Sequence, residues 1–131
     1  MPLKALVVDD EPVICRVCRK ILAEQGYAVD TALSGQSALE LARAQRYDFY
    51  VSDLRMPEMT GMQLWEQLQK EQPALAQHSI FITGDILSPD VHAFLEKVRN
   101  PLVTKPFTPA DLAGAVKKAV AEWGLLPADQ G

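Results

Sequence analysis

Five polar side chains have types and spacing that could do chemistry: Asp9 and Asp10 together, then Asp53, Thr83 and Lys105. Each stands at the C-terminal end of a short run with strand character. Three carboxylates gathered in one place repel, and at least one would keep a proton unless a cation compensates. Magnesium suits such a set, because it takes one or two carboxylates, keeps several waters and accepts phosphate oxygens as further ligands. No thiol or imidazole falls among these positions, which disfavours zinc or copper. A lysine adds a fixed positive charge for an anion bound beside the metal, and a threonine hydroxyl can donate to one of that anion's oxygens. Carboxylates, divalent cation, lysine and hydroxyl together describe a site for phosphoryl transfer. Taken singly, each residue has a plainer reading: Asp10 as a helix cap, Asp53 as a turn, Thr83 as a β-branched strand residue, Lys105 as a solvated charge. Their shared placement is what these readings do not explain.

The elements that must position them alternate five times between short β-type runs and longer stretches of helical period, the pattern of a parallel sheet wrapped by helices. The expected strands are 4–8, 28–32, 48–52, 79–83 and 101–103. Five helices fill the gaps. The first starts at Pro12 and stops before Gly26, the second follows an N-cap at Ser34, and the third opens with a Thr60/Gln63 capping box. The fourth begins Ser88-Pro89-Asp90 and the fifth Thr108-Pro109-Ala110-Asp111, with a proline in the first turn and an acid where the helix dipole favours it. In the fifth, Leu112, Ala115, Val116, Ala119, Val120 and Trp123 recur at helical spacing, which makes Trp123 a packing residue. In an open parallel sheet the C-terminal strand ends share one edge, where ligands bind near the reversal of strand order. With the order 2-1-3-4-5, the strands carrying the five polar residues are neighbours.

At 131 residues, 48% hydrophobic and 23% charged, the chain has the size and composition of one globular domain, here residues 1–124 with a short tail at 125–131. A net charge of −4 argues against direct binding of nucleic acid, and no apolar run is long enough to span a bilayer. With no secretory pattern at its start, the chain is expected in the cytoplasm. Cys15 and Cys18 have the C-x-x-C spacing of a zinc half-site or redox pair. No second ligand pair exists, and Pro12 as the first helical residue puts Cys15 inside the helix. Cys18 falls on the apolar stripe Ile14, Val17, Cys18, Ile21 and Leu22, so packing is the expected role.

These residues are also recognisable. The segments Val7-Val8-Asp9-Asp10-Glu11-Pro12, Ser52-Asp53-Leu54-Arg55-Met56-Pro57 with Gly61, Phe81-Ile82-Thr83-Gly84 and Thr104-Lys105-Pro106-Phe107 resemble the receiver domain of two-component response regulators, from Lys4 to about Trp123. The resemblance implies a flavodoxin-like α/β fold, a five-stranded parallel sheet of order 2-1-3-4-5 with helices on both faces. It implies that Asp53 attacks the phosphohistidine of a sensor histidine kinase or phosphotransfer protein and becomes an acyl phosphate, which the domain itself slowly loses. Asp10, Asp53 and the backbone carbonyl of Arg55 would ligate Mg2+, with Asp9 acting largely through a bound water. Lys105 would contact the phosphoryl group, Thr83 would move towards it as the switch, and Lys105-Pro106 would be a cis peptide. A downstream effector protein would read the switch, and the fourth helix, fifth strand and fifth helix form the face where family members dimerise or dock. Here that face carries Glu96, Lys97, Arg99, Lys117 and Lys118, a mixed set that selects neither outcome.

One position departs from the family. Where many members have Tyr or Phe three residues before the lysine, this chain has Leu102, so the threonine shift is expected to be read out through the Leu102 strand and the fourth helix without a ring rotamer. Arg55 and Asp85, each two residues beyond a site residue, carry opposite charges; they are expected either to approach over the site and affect the lifetime of the phosphate or to stand as a solvated pair that contributes little. Two other readings compete. Phosphatases of the haloacid dehalogenase type need a second aspartate two residues after the nucleophile; here Asp9 is followed by Glu11 and Asp10 by Pro12, so that motif fails. A receiver fold that only binds partners, without phosphorylation, should lack part of the acidic cluster or the lysine, and this chain keeps all five residues.

Overall fold

A computed structural model of the chain describes residues 2–125. In chain order the elements are β1 (Lys4–Val8), α1 (Pro12–Glu24), β2 (Ala28–Ala32), α2 (Gly35–Ala44), β3 (Phe49–Asp53), α3 (Gly61–Glu71), α4 (Pro73–Gln77), β4 (Ser79–Thr83), α5 (Pro89–Val98), β5 (Leu102–Thr104) and α6 (Pro109–Glu122). The strands form one parallel sheet of order β2-β1-β3-β4-β5, as expected. β3 and β4 are buried at every position, whereas the edges β2 and β5 are partly open. Parallel strands covered on both faces have no polar alternation to maintain, which is why Phe49-Tyr50-Val51 and Ile80-Phe81-Ile82 run apolar without a break.

Two main cores flank the sheet. On one face Ala5, Val7, Phe49, Val51, Ile80 and Ile82 meet Cys15, Cys18 and Leu22 of α1 and Leu112, Val116 and Val120 of α6. On the other, Leu6, Val8 and Tyr50 meet Leu39 of α2, Leu64 and Leu68 of α3 and Leu75 of α4, while Phe81, Leu54, Val91 and Phe94 bring in α5. Each large side chain buried this way stabilises the fold by about 2–3 kcal/mol. Trp123 packs as expected, its ring centroid 4.9 Å from that of His78 and 6.4 Å from that of Phe49.

The differences from expectation are local. Among the described residues six helices form rather than five, so the expected fourth and fifth are α5 and α6. The extra one, α4, has only five residues, too few to show a period; Pro73 starts it, Leu75 and Ala76 are buried, and the Trp65 indole donates to the Ala76 carbonyl at 3.1 Å. β3 ends on Asp53 itself, because the ladder runs on through Leu54, whose amide donates to Ile82 at 3.1 Å. β5 begins at Leu102, since Pro101 has no N–H to give and only accepts, from the Phe81 amide at 2.9 Å. In α1 the core side is Cys15, Cys18, Ile21 and Leu22, and Val17 is 41% exposed. The caps at Ser34, Thr60/Gln63 and Thr108/Asp111 all form. Of the expected tail, Leu125 packs on the core with its amide donating to the Val120 carbonyl, and the remaining residues lie outside those described.

Candidate functional site

The registers fix the geometry before any side chain is placed. β1 pairs with β3 from Ala5↔Phe49 to Val8↔Ser52, so Asp9 and Asp53, the next residue on each strand, sit side by side. β3 pairs with β4 so that Asp53 faces Ile82, and β4 pairs with β5 as Thr83↔Thr104, which sets Lys105 just beyond Thr83. The backbone continues this alignment, with the Asp9 amide donating to Ala32 at 3.1 Å and the Lys105 amide to Thr83 at 2.9 Å. Lys105-Pro106 is cis, as the resemblance implied.

Asp9, Asp10 and Asp53 each offer a carboxylate oxygen, and these oxygens lie within 4.8 Å of one another. Asp9 and Asp53 are buried and Asp10 is exposed at the mouth. The Lys105 ammonium bridges the group, 3.0 Å from Asp53 Oδ2, 3.1 Å from Asp9 Oδ2 and 3.4 Å from Glu11 Oε2. The remaining oxygens are held by backbone, Asp53 Oδ1 by the Arg55 amide at 3.2 Å and Asp9 Oδ1 by the Glu11 amide at 2.9 Å. Asp9 Oδ2 is the exception: it is buried, and its contact with Lys105 lacks hydrogen-bond geometry.

Burial pushes the Asp9 carboxyl above the usual carboxylate range; the Glu11 amide opposes this, the Asp53 charge adds to it and Lys105 opposes it. For Lys105 burial acts downward, but the hydrogen bond to Asp53 and the charges of Asp53 and Asp9 outweigh it and raise the ammonium. One lysine therefore does not neutralise the acidic group. A buried carboxylate oxygen without a hydrogen bond, beside two further carboxylates and no soft ligand, fits a small divalent cation that prefers oxygen.

Below the site, α3 begins almost in contact with it. The Gly61 amide donates to Leu54 at 3.0 Å, and a Cβ at Gly61 would fall 2.1 Å from the Asp53 carbonyl oxygen and 2.8 Å from Leu54 Cα. A glycine is required for that approach. Across the site, Thr83 is buried and its hydroxyl accepts from the Asp85 amide at 3.0 Å. Arg55 and Asp85 meet as expected, Nε to Oδ2 at 2.9 Å. The arginine also reaches two residues that sequence reasoning used only as a helix start: Ser88 Oγ at 2.5 Å and Asp90 Oδ1 at 2.7 Å. Ser88 is not a side-chain cap for α5; its hydroxyl bonds to Asp90 instead. The N-terminal Ser-Pro-Asp pattern had already accounted for both residues, so no local signal pointed to a partner 33 to 35 positions away. Leu102 is 36% exposed on the edge strand, and a groove of about 500 Å³ beside it is lined by Arg99, Asn100, Ala115, Lys118 and Trp123.

The Cys15 thiol donates to the Asp9 carbonyl at 3.3 Å, so the first cysteine packs beneath the site. Burial raises both thiols, Cys18 to about 12, and neither is bonded to another cysteine.

Among known proteins, the family described as "Response regulator receiver domain" matches residues 5–117. The chain is 32% identical over 130 residues to the Probable transcriptional regulatory protein TcrX of Mycobacterium tuberculosis, covering 99% of this chain and 55% of that protein. It is 30% identical over 122 residues to the Aerobic respiration control sensor protein ArcB of Escherichia coli, covering 90% of this chain and 16% of that one. It thus spans about half or less of the length of these curated relatives. Among solved structures, the chemotaxis protein CheY4 of Vibrio cholerae aligns with a TM-score of 0.81 at 28% identity, covering 91% of this chain and 99% of its own. A CheY-like receiver domain from Methanospirillum hungatei aligns over the full length of both chains, with a TM-score of 0.86 and 25% identity.

Proposed function

Because this chain belongs to the response regulator receiver family of two-component signalling, we propose that Asp53 is its phosphoacceptor and that phosphorylation there switches how the domain engages a downstream effector protein. The donor would be the phosphohistidine of a sensor histidine kinase or phosphotransfer protein, met in the cytoplasm. One observation supports this most directly: Asp53 is the buried carboxylate that shares Lys105 and sits within 4.8 Å of Asp9 and Asp10. Among the described residues, no helix is long and apolar enough to cross a membrane. Residues 1–124 are taken as the functional unit.

In the transfer, an Asp53 carboxylate oxygen forms a bond to phosphorus as the N–P bond breaks, the electron pair leaving on the imidazole nitrogen. Lys105, already 3.0 Å from Asp53 Oδ2, stabilises the charge that gathers on the phosphoryl oxygens. The Arg55 amide holds the other oxygen, Oδ1, and so orients the carboxylate. Asp10 and Asp53, with the Arg55 carbonyl, would hold Mg2+ and Asp9 would hold one of its waters; the ion supplies the positive charge that lets the anionic donor approach. Thr83 turns its hydroxyl from the Asp85 amide to a phosphoryl oxygen, which frees that amide. Family members are not conventional enzymes, and the only turnover proposed here is slow loss of the domain's own phosphate.

The test is incubation with acetyl phosphate followed by mass spectrometry. A phosphoryl adduct mapping to Asp53, requiring Mg2+ and absent from Asp53→Asn, is the expected result. No adduct from either a small phosphodonor or a panel of histidine kinases would reject the proposal and favour a receiver fold that only binds partners.

A further inference from the structure

Arg55 carries more contacts than an exposed arginine on a loop needs. Its Nε lies 2.9 Å from Asp85 Oδ2, and a terminal nitrogen lies 2.5 Å from Ser88 Oγ and 2.7 Å from Asp90 Oδ1. The three acceptors belong to the β4–α5 connection and the first turn of α5. Within itself that connection is thinly tied: the Asp85 amide donates to Thr83 Oγ1 at 3.0 Å, and the Ser88 amide reaches the Asp85 carbonyl at 3.4 Å. It leaves Ile86 44% and Leu87 91% exposed. Few buried contacts and few backbone bonds mark a segment that opens at low free energy. Asp85 is therefore held at two points, its backbone by Thr83 and its side chain by Arg55.

The same arginine is joined to the phosphoacceptor. Its amide donates to Asp53 Oδ1 at 3.2 Å. A phosphoryl group carries a charge approaching −2 and three strong acceptor oxygens. The present partners are two carboxylates whose side chains are 48% and 58% exposed and are screened accordingly. A guanidinium with a fork of donors favours the denser anion.

We propose that Arg55 is a positioning residue that latches the β4–α5 connection to the loop after Asp53 and releases it when an anion occupies Asp53. This rests on the phosphoacceptor reading of Asp53. With the guanidinium drawn to the anion, Asp85 and Asp90 lose their shared counter-ion. Asp90 still lies in the first turn of α5, where the helix dipole favours an acid, so α5 stays folded and the freed part is Asp85 to Ser88 with its two exposed aliphatic side chains. Departure of the Thr83 hydroxyl and departure of Arg55 act on the same residue, Asp85, which gives this chain a readout route that needs no aromatic ring at Leu102.

The experiment is amide hydrogen exchange over residues 85–92, with and without Mg2+ and beryllium fluoride, alongside 19F NMR of the bound fluoride. In the wild type, binding should speed exchange of this segment roughly two- to fivefold, the range expected from losing a solvated ion-pair network. In Arg55→Ala exchange should already be fast and unresponsive to binding. In Arg55→Lys it should lie between, because a compact ammonium keeps the charge but not the planar fork that spans the three acceptors. A bound fluorine signal with unchanged exchange in the wild type, or Arg55→Ala exchanging at the wild-type rate, overturns the latch alone. No bound fluorine signal overturns the phosphoacceptor reading and the trigger together.

Discussion

Two glycine-to-alanine substitutions should act in opposite directions, and the structure gives the size of each. At Gly61 the added Cβ would lie 2.1 Å from the Asp53 carbonyl oxygen and 2.8 Å from Leu54 Cα. Both obstacles are backbone, so no side-chain rotation relieves them, and the start of α3 must move by more than about 1 Å to restore an ordinary contact of 3.4 Å or more. Forced overpacking of this kind costs about 3 kcal/mol, or roughly 10 °C in melting temperature for a chain of this length. At Gly114, in the exposed middle of α6, an added Cβ meets nothing within 4 Å. There alanine only restricts the unfolded chain and improves helix propensity, which contributes about 0.7 kcal/mol, or some 2–3 °C. Thermal unfolding followed by circular dichroism measures both. Because Gly61 abuts the Asp53 backbone, the first variant should also take up acetyl phosphate more slowly, while Gly114→Ala should match the wild type. Equal shifts of the same sign would refute the close-approach argument, since propensity alone favours alanine at both positions.

Asp9→Asn should stabilise the metal-free protein near neutral pH by about 1 kcal/mol, the low end for replacing charge in a buried ionic cluster. The sign follows from the raised Asp9 carboxyl: folding favours its protonated form, so its contribution is intact in acid and is lost as pH rises through the folded-state value. The advantage of the variant should therefore fade towards about pH 4 and shrink again in saturating Mg2+; a variant less stable than wild type at neutral pH without metal would contradict this. Cys15 and Cys18 should react with a thiol reagent only on unfolding, because both are buried and Cys18 is pushed up to about 12; rapid labelling of native protein would show otherwise. Arg55→Ala should shorten the lifetime of the Asp53 phosphate about twofold or more by uncovering the phosphoryl group to water, whereas Asp85→Ala, whose arginine has by then left it, should not; loss of adduct after donor removal measures both, and an Arg55→Ala rate equal to wild type would reject that role.

The ends of β1 and β4 were legible because each is marked twice, by an apolar run and by the polar residue that closes it, whereas β3 and β5 run one residue further than their patterns indicate. Asp9, Asp53, Thr83 and Lys105 needed only the parallel order to become neighbours. What local pattern could not supply was anything decided between distant segments. Val17 and Cys15 both suit a helix face, and only the docking of α1 on β1 and β3 selects Cys15 for the core. α4 is shorter than the period that would reveal it. Glu11 was read as part of a motif, yet its carboxylate lies 3.4 Å from Lys105 across 94 residues of chain. Ser88 and Asp90 had a sufficient local explanation, and so their tie to Arg55 went unseen.

The order in which the site's charges enter the chain bears on how the domain assembles. The three acids come from β1 and β3 and their ends, which are adjacent in the sheet, whereas Lys105 follows the last strand and meets Asp53 across 52 residues. The β1–β3 pairing spans 44 residues, nearly as many, but β5 is the last strand to be made, so its contact closes last in a chain that folds as it is synthesised. A chain that has paired β1 with β3 but not yet docked β5 would hold its carboxylates together with no ammonium between them, and that electrostatic cost falls on the barrier to folding as well as on the folded state. Divalent cations should thus ease an intermediate more than the finished domain, which has its lysine in place.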